Sequence, residues 1–138
     1  MANDGSWGRY HGPHCRALSA GLSDFHGVDH CHLTCSGTAA VELALRACGV
    51  SSGDEVILSA YDFKANFVNV LALGALPVLV DVIPETPVID LTKIEAALSP
   101  ATRAIVVSHL HGFHAPMRDL MQLAHNRRIP VIEDACQN

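Results

Sequence analysis

Apolar runs and helically spaced apolar positions alternate along most of this chain, beginning near residue 29. Short, nearly continuous apolar stretches at residues 55–59, 76–82, 103–109 and 130–134 predict strands buried on both faces. A further strand is expected over residues 29–35. Between them, helical spacing predicts helices over 38–48 and 63–73, one capped by Asp90 and running to Leu98, and one over 116–127. Glu42 and Arg46 fall four apart on one face of the first of these, acid first, and Gly49 and Gly74 stand as stop signals. Strands apolar on both faces that alternate with helices specify an α/β layer. Its sheet is parallel, or mostly so, with helices on both faces. Residues 1–22, rich in Gly, His and polar side chains, show no usable period and are expected to form a loose N-terminal arm before a domain over 23–138.

The 138 residues suit one domain with a real core; 49% are hydrophobic and 17% charged, a globular balance. A net charge of -5, with no basic run longer than Arg127-Arg128, argues against a nucleic-acid partner. The most apolar region, residues 71–83, is broken by Gly74, Pro77 and Asp81, so no membrane-spanning segment is expected. No signal peptide is visible, and five scattered cysteines, an odd number, favour a reduced, cytoplasmic setting.

In a doubly wound sheet, ligands gather beyond the carboxyl ends of the strands. That rule brings residues 36–38, 60–63, 109–111 and 134–137 around one crevice. Ser36-Gly37-Thr38 opens a helix, where unpaired backbone amides and the dipole favour an anion such as phosphate; the same triplet also suits an ordinary helix start. Asp134 ends a buried strand next to Glu133, and neighbouring residues face opposite sides, so only one of the two acids points into the crevice. That acid holds a ligand cation or caps the next turn. Phe63 is a core aromatic or a platform for a flat ring. His109, His111 and His114, like His30, Cys31, His32 and Cys35, match no closed zinc spacing, and no metal site is expected. Cys136 reads as a packed thiol rather than a nucleophile.

Five ordered motifs carry a resemblance: Ser36-Gly37-Thr38-Ala39-Ala40; Gly53-Asp54-Glu55-Val56-Ile57; Gly74-Ala75 with Val80-Asp81-Val82; His109-Leu110-His111-Gly112; and Val131-Ile132-Glu133-Asp134-Ala135-Cys136-Gln137. In order and spacing they resemble the DegT/DnrJ/StrS family of pyridoxal-phosphate-dependent sugar aminotransferases. The likeness covers residues 23–138 and implies the N-terminal half of a fold type I aminotransferase large domain. It implies that Ser36, Gly37 and Thr38 bind the phosphate of pyridoxal 5'-phosphate and that Phe63 stacks on its ring. Asp134 would meet the ring nitrogen, and Gln137 the phenolic oxygen. It also implies a keto-sugar substrate, nucleotide-linked, with glutamate as amino donor, and a homodimer at full length.

The departures are specific. His111 stands where the family usually has Tyr, Asp62 and Asn66 where Thr or Ser is common, and Ser59 where Pro is usual. The family's Schiff-base lysine lies downstream of the Asp134-x-x-Gln137 motif, and neither Lys64 nor Lys93 matches its surroundings. No catalytic residue is therefore assigned in this chain, which by itself is expected to be inactive. Two rival readings remain: a non-catalytic relic that binds phosphorylated ligands or a partner chain, and a nucleotide-binding module. The second is disfavoured because neither G-x-G-x-x-G nor G-K-[ST] occurs.

Overall fold

In the computed structural model, strands form where the chain is apolar on both faces. β1 (Glu55–Ser59), β2 (Leu76–Val80), β3 (Thr102–Ser108) and β4 (Val131–Asp134) make one sheet in the order β2-β1-β3-β4, every pair parallel. The structure describes residues 4–9 and 11–137; residues 1–3 and 10 of the expected arm lie outside them. The described chain falls into two compact units, one ending at Cys35 and one beginning at Ser36.

Among the described residues, five helices accompany the sheet in sequence: α1 (Pro13–His26), α2 (Gly37–Ala47), α3 (Lys64–Ala72), α4 (Leu91–Ala97) and α5 (Met117–Arg127). The sheet and α2–α5 belong to the second unit. Alternation along the strands divides its core in two. Val56, Leu58, Ala104, Val106 and Ile132 pack under α2 and α3 with Val41, Leu45 and Val70. Ile57, Val80, Ile105 and Val107 pack on the other face under α4 and α5 with Ile94, Leu120 and Ala124. The crossover from β1 to β2 runs one way across the sheet and that from β2 to β3 runs back. With handedness kept, the reversal sends their helices to opposite faces. It also opens a switch point between β1 and β3. Gly74 ends α3 at φ 73, a left-handed turn in which a Cβ would lie 3.0 Å from Ser52 Oγ.

Two expectations change. Residues 29–35 form no strand and join no sheet, so the sheet has four strands among the described residues rather than five. Their backbone is held locally instead, Ser19 Oγ donating to the Cys31 carbonyl at 2.6 Å. The stretch read as a loose arm contains α1, which begins with Pro13 at its first turn and ends at Gly27 with φ 64. No residue of α1 is buried, although Cys15, Leu18, Leu22 and Phe25 recur at helical spacing, a signal that was present in the sequence.

Candidate functional site

The carboxyl ends of β1, β3 and β4 and the start of α2 enclose a cleft of about 260 Å³ in the second unit. Gly37 and Thr38 line it from α2, Phe63 from the segment after β1, His109 from the end of β3, and Asp134 and Gln137 from the end of β4. Five of the six residues singled out from the sequence thus share one cleft. Ser36 is employed differently: it is the N-cap of α2, and its hydroxyl accepts from the Ala39 amide at 3.1 Å. Helix geometry gives the Gly37 and Thr38 amides no acceptor within α2, so the positive end of the helix opens on the cleft. Buried Asn69 of α3 steadies this end, donating from Nδ2 to the Thr38 carbonyl at 2.9 Å. Gly37 lets Cys136 approach closely, since a Cβ would come within 2.8 Å of Cys136 Sγ and the thiol would have to turn away.

Asp134 is held from both oxygens. Oδ1 accepts from the Cys136 amide and Oδ2 from Asn66 Nδ2, each at 3.1 Å. Burial pushes its carboxyl up, but the Cys136 thiol, the Asn66 amide and the Cys136 backbone together hold it below its ordinary 3.8. The same bond to Asp134, with burial, pushes the Cys136 thiol up. Cys136 is a donor here, not a ready nucleophile.

Asn66, 1% exposed, was legible in sequence only as a departure at a family position. Its Nδ2 also faces Asp62 Oδ1 at 3.1 Å and Ser108 Oγ at 3.2 Å. Asp62 Oδ1 accepts from the Phe63 amide at 2.6 Å, while Asp62 Oδ2 is buried without a hydrogen-bond partner among the described residues. Burial foremost, then the charge of Asp134, pushes the Asp62 carboxyl up; its hydrogen bonds and the nearby Ser108 hydroxyl pull less strongly downward.

Glu133 and Asp134 do divide between two tasks. Glu133 Oε1 meets Nε2 of buried His109 at 2.7 Å, and His109 Nδ1 accepts from the Ala115 amide at 3.1 Å. An Nδ1 that accepts places the ring proton on Nε2, facing Glu133. The sequence signal for this pair was positional, since His109 follows β3 directly where β4 runs beside it. His111, at φ 55, donates its amide to Gln137 Oε1 at 3.2 Å, and its ring Nε2 meets the Tyr61 hydroxyl at 3.1 Å. With Oε1 engaged, Gln137 offers its amide N–H groups to a ligand. Neither Lys64 nor Lys93 lines the cleft; Lys93 pairs with Asp81 at 3.0 Å. Among the described residues, no group of three or more His, Cys, Asp or Glu is placed to hold a metal ion. None of the described helices is long and apolar enough to cross a membrane.

A helix start that attracts an anion, a half-exposed aromatic ring and an ionised carboxylate thus line one cleft. Such a cleft suits a flat molecule bearing an anion and a cation at different ends. The chain belongs to the DegT/DnrJ/EryC1/StrS aminotransferase family, which matches it over residues 1–138. It is 41% identical to the L-glutamine:2-deoxy-scyllo-inosose aminotransferase of Micromonospora echinospora, over 99% of this chain and 34% of that protein. It is likewise 41% identical to the 3-oxo-glucose-6-phosphate:glutamate aminotransferase of Bacillus subtilis (strain 168), over 91% of this chain and 29% of that one. The chain therefore spans about a third of the length of the curated relatives it matches. Among solved structures, it is similar to Bacillus subtilis ntda with bound cofactor PMP. The TM-score is 0.87 and the identity 41%, over 92% of this chain and 29% of that chain. An aminotransferase from Psychrobacter cryohalolentis gives a TM-score of 0.85 at 34% identity, over 91% of this chain and 32% of that one. The fold is that of the N-terminal part of these aminotransferases.

Proposed function

We propose that this chain is the cofactor-binding part of a pyridoxal-phosphate-dependent aminotransferase that converts a keto sugar to an amino sugar. The observation that carries the reading is the pairing, in one cleft, of the open N-terminus of α2 with a carboxylate held below its ordinary proton affinity. The cleft fits the cofactor on its own chemistry. Gly37 leaves a cradle that a Cβ would fill, and Phe63, 53% exposed, offers a flat apolar face.

Gly37 and Thr38 would hold the phosphate through their backbone amides and the Thr38 hydroxyl, with Ser36 fixing the turn that presents them. Phe63 would stack on the ring and shield it from water. Asp134, ionised and fixed from both oxygens, would keep a proton on the ring nitrogen. Gln137 would donate to the phenolic oxygen. Bound there, the protonated ring supplies an electron sink for cleavage of a substrate Cα–H bond.

The substrate class is supported by the relatives' names, which specify 2-deoxy-scyllo-inosose, 3-oxo-glucose-6-phosphate and a UDP-linked dehydroglucosamine as acceptors. Glutamate is the donor that the family resemblance implies, and two relatives are named for glutamine and glutamate. A cytoplasmic setting agrees with five free cysteines. A homodimer agrees with the exposed Val68 and Leu71 of α3.

The test is calorimetric titration of the chain with pyridoxal phosphate. One-to-one binding is expected, competed by inorganic phosphate and weakened about tenfold by Asp134→Ala, a loss of about 1.4 kcal/mol. An Asp134→Ala chain that binds as tightly as the wild type overturns the reading.

A further inference from the structure

We propose that Asp62 is a positioning residue for Asp134: it anchors the Asn66 carboxamide and through it fixes the carboxylate that faces the cleft. The inference rests on the role given to Asp134 above, although every contact it uses lies within the chain.

The argument is one of counting. Asn66 Nδ2 carries two hydrogens and faces three oxygens, Asp62 Oδ1 and Asp134 Oδ2 at 3.1 Å and Ser108 Oγ at 3.2 Å. The Ser108 hydroxyl can serve as a donor itself, so the two hydrogens divide between the two carboxyl groups. Asn66 is 1% exposed, and water does not replace either partner. Asp62 is in turn locked to the backbone, its Oδ1 receiving the Phe63 amide just ahead of α3. Asn66 stands four residues on, in the first turn of that helix. Asn66 therefore rides on α3 and Asp62 is tied to the residue that caps it, and the amide is aimed across to β4.

Ser108 and Asp134 are register partners on β3 and β4. An amide that lost Asp62 would be free to swing toward Ser108. Asp134 Oδ2 would then lose a fixed donor. Burial, and after it the charge of Asp134, push the Asp62 carboxyl up, as expected of an acid set across one amide from a second carboxylate.

Carbon-13 NMR titration of the Asp134 carboxyl in the whole chain, without cofactor, tests the inference. Asn66→Ala should raise the Asp134 midpoint by about one pH unit, since it removes a hydrogen bond to the charged form. Asp62→Ala should raise it in the same direction, and should do nothing further once Asn66 is Ala. Equal, additive shifts in both backgrounds overturn the proposal. So does a midpoint lowered by Asp62→Ala, because Asp62 would then act as a charge and not through Asn66. Should Asp62→Ala fail to fold, two variants decide. Asp62→Asn keeps the Oδ1 acceptor and should keep the wild-type midpoint, while Asp62→Ser is too short to reach Asn66 and should raise it. The reverse order overturns the proposal. Titration of the same variants with pyridoxal phosphate separates the two ideas. A wild-type chain that ignores the cofactor removes the functional reading, and the carboxyl titration still decides the role of Asp62.

Discussion

At the scale of single residues, the site depends on approaches closer than most side chains permit. Gly37 is the sharpest case, because a Cβ there would lie 2.8 Å from Cys136 Sγ. Gly37→Ala should rotate the thiol away and release its bond to Asp134, raising that carboxyl's proton affinity. Pyridoxal phosphate affinity should then fall about tenfold; Cys136→Ala, which removes the same bond, should lower it similarly and add nothing further in the Gly37→Ala background, both read by calorimetry. Binding unchanged in Gly37→Ala would mean the cradle is not tight. His109 makes a different demand, since its ring is buried and both nitrogens are engaged. His109→Leu would strand the Ala115 amide and free Glu133. It should cost about 1–3 kcal/mol in denaturant unfolding, the penalty of an orphaned buried donor. A loss under about 0.5 kcal/mol, the scale of an ordinary surface change, would count against that view.

At the scale of elements, legibility followed burial. Residues 55–59 were read as a strand with the observed bounds of β1, because four of those five residues are buried on one face or the other. α2, α3, α4 and α5 were read to within about two residues, since each presents an apolar stripe to the sheet. Two elements escaped for the opposite reason. α1 buries nothing, and only Pro13 and Gly27 mark its ends. The segment 29–35 was read as a strand but pairs with no strand among the described residues, and strand propensity without a partner does not make a strand. For the site, the residues that face the cleft were legible through the switch-point rule and the family pattern. The supporting contacts among Asp62, Asn66 and Ser108 were not, because they join residues up to 42 positions apart through side chains alone. Ser36 is the simplest test at this scale. Its role is to cap α2, so Ser36→Ala should cost about 1 kcal/mol of stability. Thr38→Ala, at a position with no capping contact to its own helix, should act on phosphate affinity instead, and parallel melts and phosphate titrations distinguish the two.

At the scale of the whole molecule, the two acids that share Asn66 pull stability in opposite directions with pH. Asp134 titrates below its ordinary 3.8 in the folded chain. Its contribution is present above that value and is lost as pH falls through the lowered one. Asp62 titrates above its ordinary 3.8 when folded. Above 3.8 the unfolded chain has released this proton while the folded chain still holds it. Stability from Asp62 therefore declines as pH rises through the window between 3.8 and the raised value, and at neutral pH the buried carboxylate is a burden. Asp62→Asn removes the titration and keeps an acceptor facing Asn66 and the Phe63 amide. Its melting temperature at pH 7 should exceed that of the wild type, and the advantage should shrink to nothing below about pH 3.8, where both forms are neutral at this position. Asp134→Asn should do the reverse, losing most at pH 7 and least in acid. Thermal melts of the three chains across pH 3 to 8 give the answer. Identical Asp62→Asn and wild-type curves at every pH would show that Asp62 is not desolvated in the folded chain, and an advantage that grows in acid would reverse the sign derived from its burial.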